Sequence, residues 1–137
     1  MGLAAMSNMQ EVRVVIVDDS PLFRKIATEV VEATGGFVVV GTVGSGEEAL
    51  TALEQLEPDL VLMDVRLPGI DGVTAARAAA RLPHPPVVAL LSADDWPEIA
   101  EDPRSHGATA FVQKQRFGPR MLRALWPASG ASKAAVA

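Results

Sequence analysis

No cysteine occurs among the 137 residues. Disulfides, thiolate metal sites and a cysteine nucleophile are thereby excluded. No apolar run reaches the length needed to cross a bilayer. The N-terminus lacks a basic stretch followed by an apolar core, so no signal peptide is read. Gly2 follows Met1, but Met6 stands where a myristoylation signal needs Ser or Thr. A cytoplasmic protein with no membrane contact is expected. Basic residues are outnumbered, 12 Lys and Arg against 17 Asp and Glu, for a net charge of −5. They are scattered rather than clustered, so a nucleic-acid partner is not expected.

What is present is an ordinary globular composition, 49% hydrophobic and 21% charged, long enough for one domain with one core. Residues 1–10 carry three methionines without periodicity and read as a disordered leader. Residues 127–137, rich in Ala, Ser and Gly, read as a flexible tail, leaving a domain over 11–126. Within it two patterns alternate. Val12 to Val17 is a β-branched strand running into Asp18-Asp19-Ser20-Pro21, where Ser20 suits an N-cap and Pro21 a first helical position. Leu22, Phe23, Ile26, Ala27, Val30 and Val31 follow at helical spacing, and Gly35-Gly36 ends that helix. Phe37 to Val43 is a second strand. Ser45 with Glu48 predicts a capping box for a helix that Pro58 stops.

Leu60 to Met63 forms a third strand ending on Asp64. An Ala-rich helix opens at Asp71 or Gly72 and runs to about Leu82. Val87 to Leu91 is a fourth strand, and a helix over 96–105 is made short or bent by Pro97 and Pro103. Thr109 to Gln113 is a fifth strand ending on Lys114, before a last helix from Pro119 to Trp126. Continuous apolar strands separated by helices imply an α/β fold, a parallel sheet covered on both faces. In such sheets ligands bind outside the carboxyl ends of the strands.

Those ends carry Asp18 and Asp19 after strand one, Asp64 after strand three, Ser92 after strand four and Lys114 after strand five. Singly, each has an ordinary explanation as a cap, a turn acceptor or a solvated charge. Together they bring three carboxylates to one edge, where mutual repulsion favours a cation among them. Few carboxylates with room for water and a phosphate suit Mg²⁺ better than Ca²⁺. A carboxylate can attack phosphorus to give an aspartyl phosphate, with a lysine and a hydroxyl neutralising the remaining oxygens.

Four segments carry a resemblance: Val-Asp-Asp-Ser at 17–20, Asp-Leu-Val-Leu-Met-Asp-Val-Arg-Leu-Pro-Gly-Ile-Asp-Gly at 59–72, Leu-Leu-Ser-Ala at 90–93, and Gly-Ala-Thr-Ala-Phe-Val-Gln-Lys at 107–114. Over about residues 11–126 the chain resembles the receiver domain of two-component response regulators, in the single-domain, chemotaxis-regulator-like form. The resemblance implies a flavodoxin-like, doubly wound, five-stranded parallel sheet of order 2-1-3-4-5. It implies that Asp64 is the phosphoacceptor and that Asp18 and Asp19 hold Mg²⁺, with the backbone carbonyl of Arg66 as a further ligand. Ser92 matches the switch hydroxyl, Lys114 the phosphate-site lysine and Phe111 the switch aromatic.

The implied activity is transfer of a phosphoryl group from a histidine kinase or histidine phosphotransfer protein to Asp64, switching a surface that binds an output protein. No catalysis beyond self-phosphorylation and dephosphorylation is expected, and no DNA-binding output domain. An aspartate-based phosphatase is the competing reading, but such enzymes place Asp-x-Asp after the first strand and carry a cap insertion. A receiver that binds partners without phosphorylation is the other, against which the complete residue set argues. The chain departs from the family at Gln115, where a proline with a cis peptide is usual, so a trans bond is expected there. Pro103 and a shortened last helix are further departures. All three bear on the output face, expected from the 96–105 helix, strand five and the last helix. Arg66 and Asp94 at the mouth of the site read either as an ion pair that slows dephosphorylation or as two independent solvated side chains.

Overall fold

The computed structural model describes residues 11–93, 108 and 110–126. The expected leader, the tail and the 96–105 helix lie outside those residues, as do Thr109 and Asp94. Five strands, β1 (Val12–Val17), β2 (Phe37–Val43), β3 (Leu60–Asp64), β4 (Val87–Ser92) and β5 (Ala110–Gln113), form one parallel sheet in the order β2-β1-β3-β4-β5. The described helices are α1 (Pro21–Ala33), α2 (Gly46–Leu56), α3 (Gly72–Ala79) and α4 (Pro119–Leu125).

The sheet separates two apolar layers. On one face Val14, Ile16, Leu60, Leu62 and Leu91 meet Ala27 and Val31 of α1 and Leu122 of α4. On the other, Val15, Val17, Val61, Met63 and Leu90 meet Ala49 and Leu53 of α2 and Ala75, Ala76 and Ala79 of α3. Strands covered on both faces need apolar residues at every position, which is why β3 reads as an unbroken apolar run. Each fully buried Val, Leu or Ile contributes about 1.5–3 kcal/mol relative to exposure.

Helix starts follow their local chemistry. Ser20 accepts the Phe23 N–H at 3.1 Å and Pro21 opens α1. Asp71 accepts the Thr74 N–H at 2.8 Å and opens α3 at Gly72. The Ser45–Glu48 box is only half of the reciprocal arrangement expected. Ser45 accepts the Glu48 N–H at 3.1 Å, but the Glu48 carboxylate reaches past Ser45 to the Gly44 N–H at 3.0 Å.

Other details differ from the sequence expectation. Leu22 and Ile26 are exposed, at 66% and 45%. The face of α1 turned to the sheet runs through Phe23, Ala27 and Val31, a four-residue spacing that leaves Leu22 and Ile26 on the flank. Helix α3 ends at Ala79, about three residues early. Single i→i+3 bonds from Arg81 and Leu82 finish it ahead of Pro83, which disfavours α geometry in the residue before it. Asp64 and Ser92 belong to β3 and β4 themselves rather than following them. After β5 the chain tightens into a 3-10 turn over Lys114–Arg116, and every peptide bond among the described residues is trans.

Candidate functional site

At the carboxyl edge of the sheet β1 delivers Asp18. Its N–H donates to the Val43 carbonyl at 3.1 Å, its Oδ1 accepts the Ser20 N–H at 2.8 Å, and its own carbonyl accepts Arg24 Nη1 at 2.6 Å. The residue is fully buried, while Asp19 beside it is exposed. Asp64 ends the central strand β3 and is buried. Its Oδ1 accepts the Arg66 N–H at 3.0 Å, and the next residue is pinned by Val65 N–H to the Leu91 carbonyl at 2.9 Å.

Lys114 enters from the far side, out of the 3-10 turn that follows β5. Its Nζ donates to Asp64 Oδ2 at 3.0 Å and lies 2.6 Å from Asp18 Oδ2. That buried Asp18 oxygen has the Lys114 ammonium as its ionic neighbour and no further hydrogen-bond partner among the described residues. Burial pushes the Asp64 carboxyl above the usual range, and the Asp18 charge adds to this. The Arg66 N–H and the Lys114 ammonium oppose the shift without cancelling it. For Lys114 burial acts to lower its pKa, but the Asp18 and Asp64 carboxylates outweigh it and hold the ammonium above its ordinary range.

One oxygen from each of Asp18, Asp19 and Asp64 lies within 4.8 Å of the others. Three carboxylates against one ammonium leave an excess of two negative charges, and the under-satisfied Asp18 Oδ2 is part of that group. An all-oxygen donor set of this charge fits a hard divalent ion such as Mg²⁺.

Ser92 is buried at the end of β4. Leu90 is the register partner of Phe111, so Ser92, two residues on, emerges on the same face of the sheet as Phe111. The half-buried Phe111 ring packs against the apolar layer on that face. Arg66 is exposed, and its candidate partner Asp94 lies outside the described residues.

Three contacts were not legible in the sequence. Phe23 places its ring over Lys114, with Nζ 4.6 Å from the centroid. Glu47 accepts the Ile70 N–H at 3.2 Å, tying α2 to the loop after Asp64. Arg24 holds the Asp18 carbonyl. Phe23 fell within an apolar helical stripe, Glu47 within an acidic helix start and Arg24 within a solvated face, so pattern alone carried no signal for any of them.

A doubly wound parallel sheet with an acidic pocket and a lysine at its carboxyl edge belongs to the class of α/β proteins whose ligand sites lie outside the strand ends. Residues 14–125 match the family model described as the response regulator receiver domain, and the chain belongs to that family. It is 37% identical over 122 residues to a transcriptional regulatory protein designated NarL from Mycobacterium tuberculosis, covering 88% of this chain and 56% of that one. It is 36% identical to a protein-glutamate methylesterase/protein-glutamine glutaminase of Pseudomonas syringae, covering 75% of this chain and 27% of the enzyme. The chain thus spans about half or less of the length of these curated relatives. The solved receiver domain of the M. tuberculosis NarL superposes with a TM-score of 0.80 at 34% identity, covering 89% of this chain and 98% of that one. No helix among the described residues is long and apolar enough to cross a membrane.

Proposed function

We propose that this receiver domain accepts a phosphoryl group on Asp64 from a phosphohistidine donor, a histidine kinase or a histidine phosphotransfer protein, and thereby switches a protein-binding surface. The observation that carries this reading is Lys114 Nζ set between Asp64 and the buried Asp18, with Asp19 beside them. A carboxylate oxygen of Asp64 attacks phosphorus as the phosphorus–nitrogen bond to the donor imidazole breaks. The departing ring nitrogen keeps the electron pair, and an acyl phosphate forms. Lys114 follows the charge as it develops, turning from the carboxylates toward the phosphoryl oxygens. Asp18, Asp19, Asp64 and the Arg66 carbonyl are the residues that would hold Mg²⁺, whose charge, when bound, offsets the repulsion between carboxylate and phosphate.

Ser92, on the same sheet face as Phe111, supplies the hydroxyl that engages the phosphoryl group and so couples it to Phe111. The receiver catalyses only its own phosphorylation and dephosphorylation. Its partners are the phosphodonor and an output protein, and its location is the cytoplasm, with which a cysteine-free chain is compatible. The test is incubation with acetyl phosphate and Mg²⁺, read by intact mass. The parent gains one phosphoryl group and Asp64→Asn gains none. Labelling of Asp64→Asn at the parent level would refute the assignment.

A further inference from the structure

Among the described residues Asp18, Asp64 and Phe23 flank the Lys114 ammonium, and Phe23 is uncharged. Two carboxylate oxygens lie at 2.6 and 3.0 Å, and the Phe23 ring covers a third direction at 4.6 Å from its centroid. That distance is well inside the roughly 6 Å range over which a ring face attracts a cation. The lysine side chain is only 20% exposed.

Phe23 is itself held from two directions. Its N–H donates to Ser20 Oγ at 3.1 Å, and the Ser20 N–H in turn donates to Asp18 Oδ1 at 2.8 Å. One turn therefore orders both the acid and the ring that flank the lysine. Phe23 also meets Phe117, with centroids 6.2 Å apart and planes at 54°, a tilted aromatic pair. Phe117 closes the 3-10 turn that begins at Lys114, its N–H donating to the Lys114 carbonyl at 3.1 Å. The two rings thus tie the start of α1 to the segment that carries the lysine.

We propose that Phe23, backed by Phe117, is a positioning residue for Lys114, keeping its ammonium at the carboxylates until a phosphoryl group arrives. A flexible lysine with only carboxylate partners must break a directional bond to move. A ring face attracts the cation without demanding one orientation, so the ammonium can pivot from Asp18 and Asp64 to a phosphoryl oxygen while it stays against the ring. The inference rests on the proposed roles of Asp64 and Lys114.

The experiment compares Phe23→Leu, which keeps an apolar side chain without a π face, with Phe23→Tyr, which keeps the ring. In the full chain, the Lys114 ε-methylene proton resonance is shifted upfield by the ring in the parent and in Phe23→Tyr, and loses that shift in Phe23→Leu. Phosphorylation by acetyl phosphate at saturating Mg²⁺ slows roughly 3- to 10-fold in Phe23→Leu and recovers in Phe23→Tyr, with Mg²⁺ affinity unchanged. In a Lys114→Ala background, Phe23→Leu produces no further loss. A Lys114 resonance that Phe23→Leu does not move overturns the proposal. So does an unchanged rate in Phe23→Leu when the parent labels normally, or an equal loss in both backgrounds. A parent that takes no label refutes the phosphoacceptor reading instead, and the Lys114 resonance then decides the contact alone.

Discussion

The α-carbon of Gly72 is packed directly against the backbone carbonyl of Asp64, where a side chain has no room. A Cβ there would strike the Asp64 carbonyl oxygen and come within 2.9 Å of the Val65 α-carbon, both of them backbone atoms that cannot swing aside. The Gly72 N–H also donates to the Val65 carbonyl at 2.8 Å. The start of α3 is thus clamped onto the strand end that presents the buried carboxylate. Gly72→Ala is expected to destabilise the fold by about 1–3 kcal/mol through overpacking. Thermal or urea unfolding reads this directly, and an unaltered midpoint would mean that α3 can shift without cost.

Glu47 holds the middle of the same loop. Its carboxylate accepts the Ile70 N–H and lies against Gly69, whose φ of +74° is in the left-handed region. The loop from Val65 to Ile70 carries the Arg66 carbonyl proposed as a metal ligand. Glu47 is exposed, so Glu47→Ala is expected to cost at most about 1 kcal/mol of global stability. Metal affinity is expected to fall several-fold, as followed by titration calorimetry. Unchanged affinity would show that the loop holds its shape without the carboxylate.

Millimolar Mg²⁺ is expected to raise the melting temperature, because a ligand bound only by the folded state stabilises by mass action. At ten times the dissociation constant the gain is about 1.4 kcal/mol, or roughly 3–6 °C for a domain of this size. Asp19→Asn removes one exposed carboxylate of the three and leaves the buried Asp18–Lys114–Asp64 contacts intact. It should flatten the Mg²⁺ dependence and slow phosphorylation together. Melting that ignores Mg²⁺ in the parent would refute the metal site.

Lys114→Ala is expected to leave Mg²⁺ binding in place and to slow phosphorylation by roughly 100-fold, the usual consequence of deleting one donor to a developing oxyanion. Rapid-quench labelling measures it. A rate within a factor of about two of the parent would reduce Lys114 to a structural ion pair.

Output is expected to depend on Ser92. Partner affinity measured for untreated, Mg²⁺-bound and beryllofluoride-treated protein should rise in the last state, and Ser92→Ala should remove most of that rise. A population shift of this kind needs only a few kcal/mol of differential stabilisation. Equal affinity in all three states would make the domain a phosphate sink.

Much of the layout was written in the chain, and the reason is local. The β-branched runs from Val12 to Val17 and from Phe37 to Val43, the Ser20-Pro21 helix start and the Asp71 cap depend on neighbours a few residues away, and β1, β2 and the first residues of α1 and α3 fall where those signals place them. Asp18, Asp19, Asp64 and Lys114 converge because a parallel sheet brings every strand end of one polarity to the same edge. The tertiary structure alone decided what depends on distant atoms. Which flank of α1 is buried, leaving Leu22 and Ile26 outside, was set by the stripe that faces the sheet. The clamp of Gly72 on Asp64, the reach of Glu47 to Ile70 and the ring of Phe23 over Lys114 pair residues from separate elements. Side chains 91 positions apart, as Phe23 and Lys114 are, leave no periodic trace in a sequence; only the packing of α1 beside the end of β5 puts an aromatic face against the ammonium.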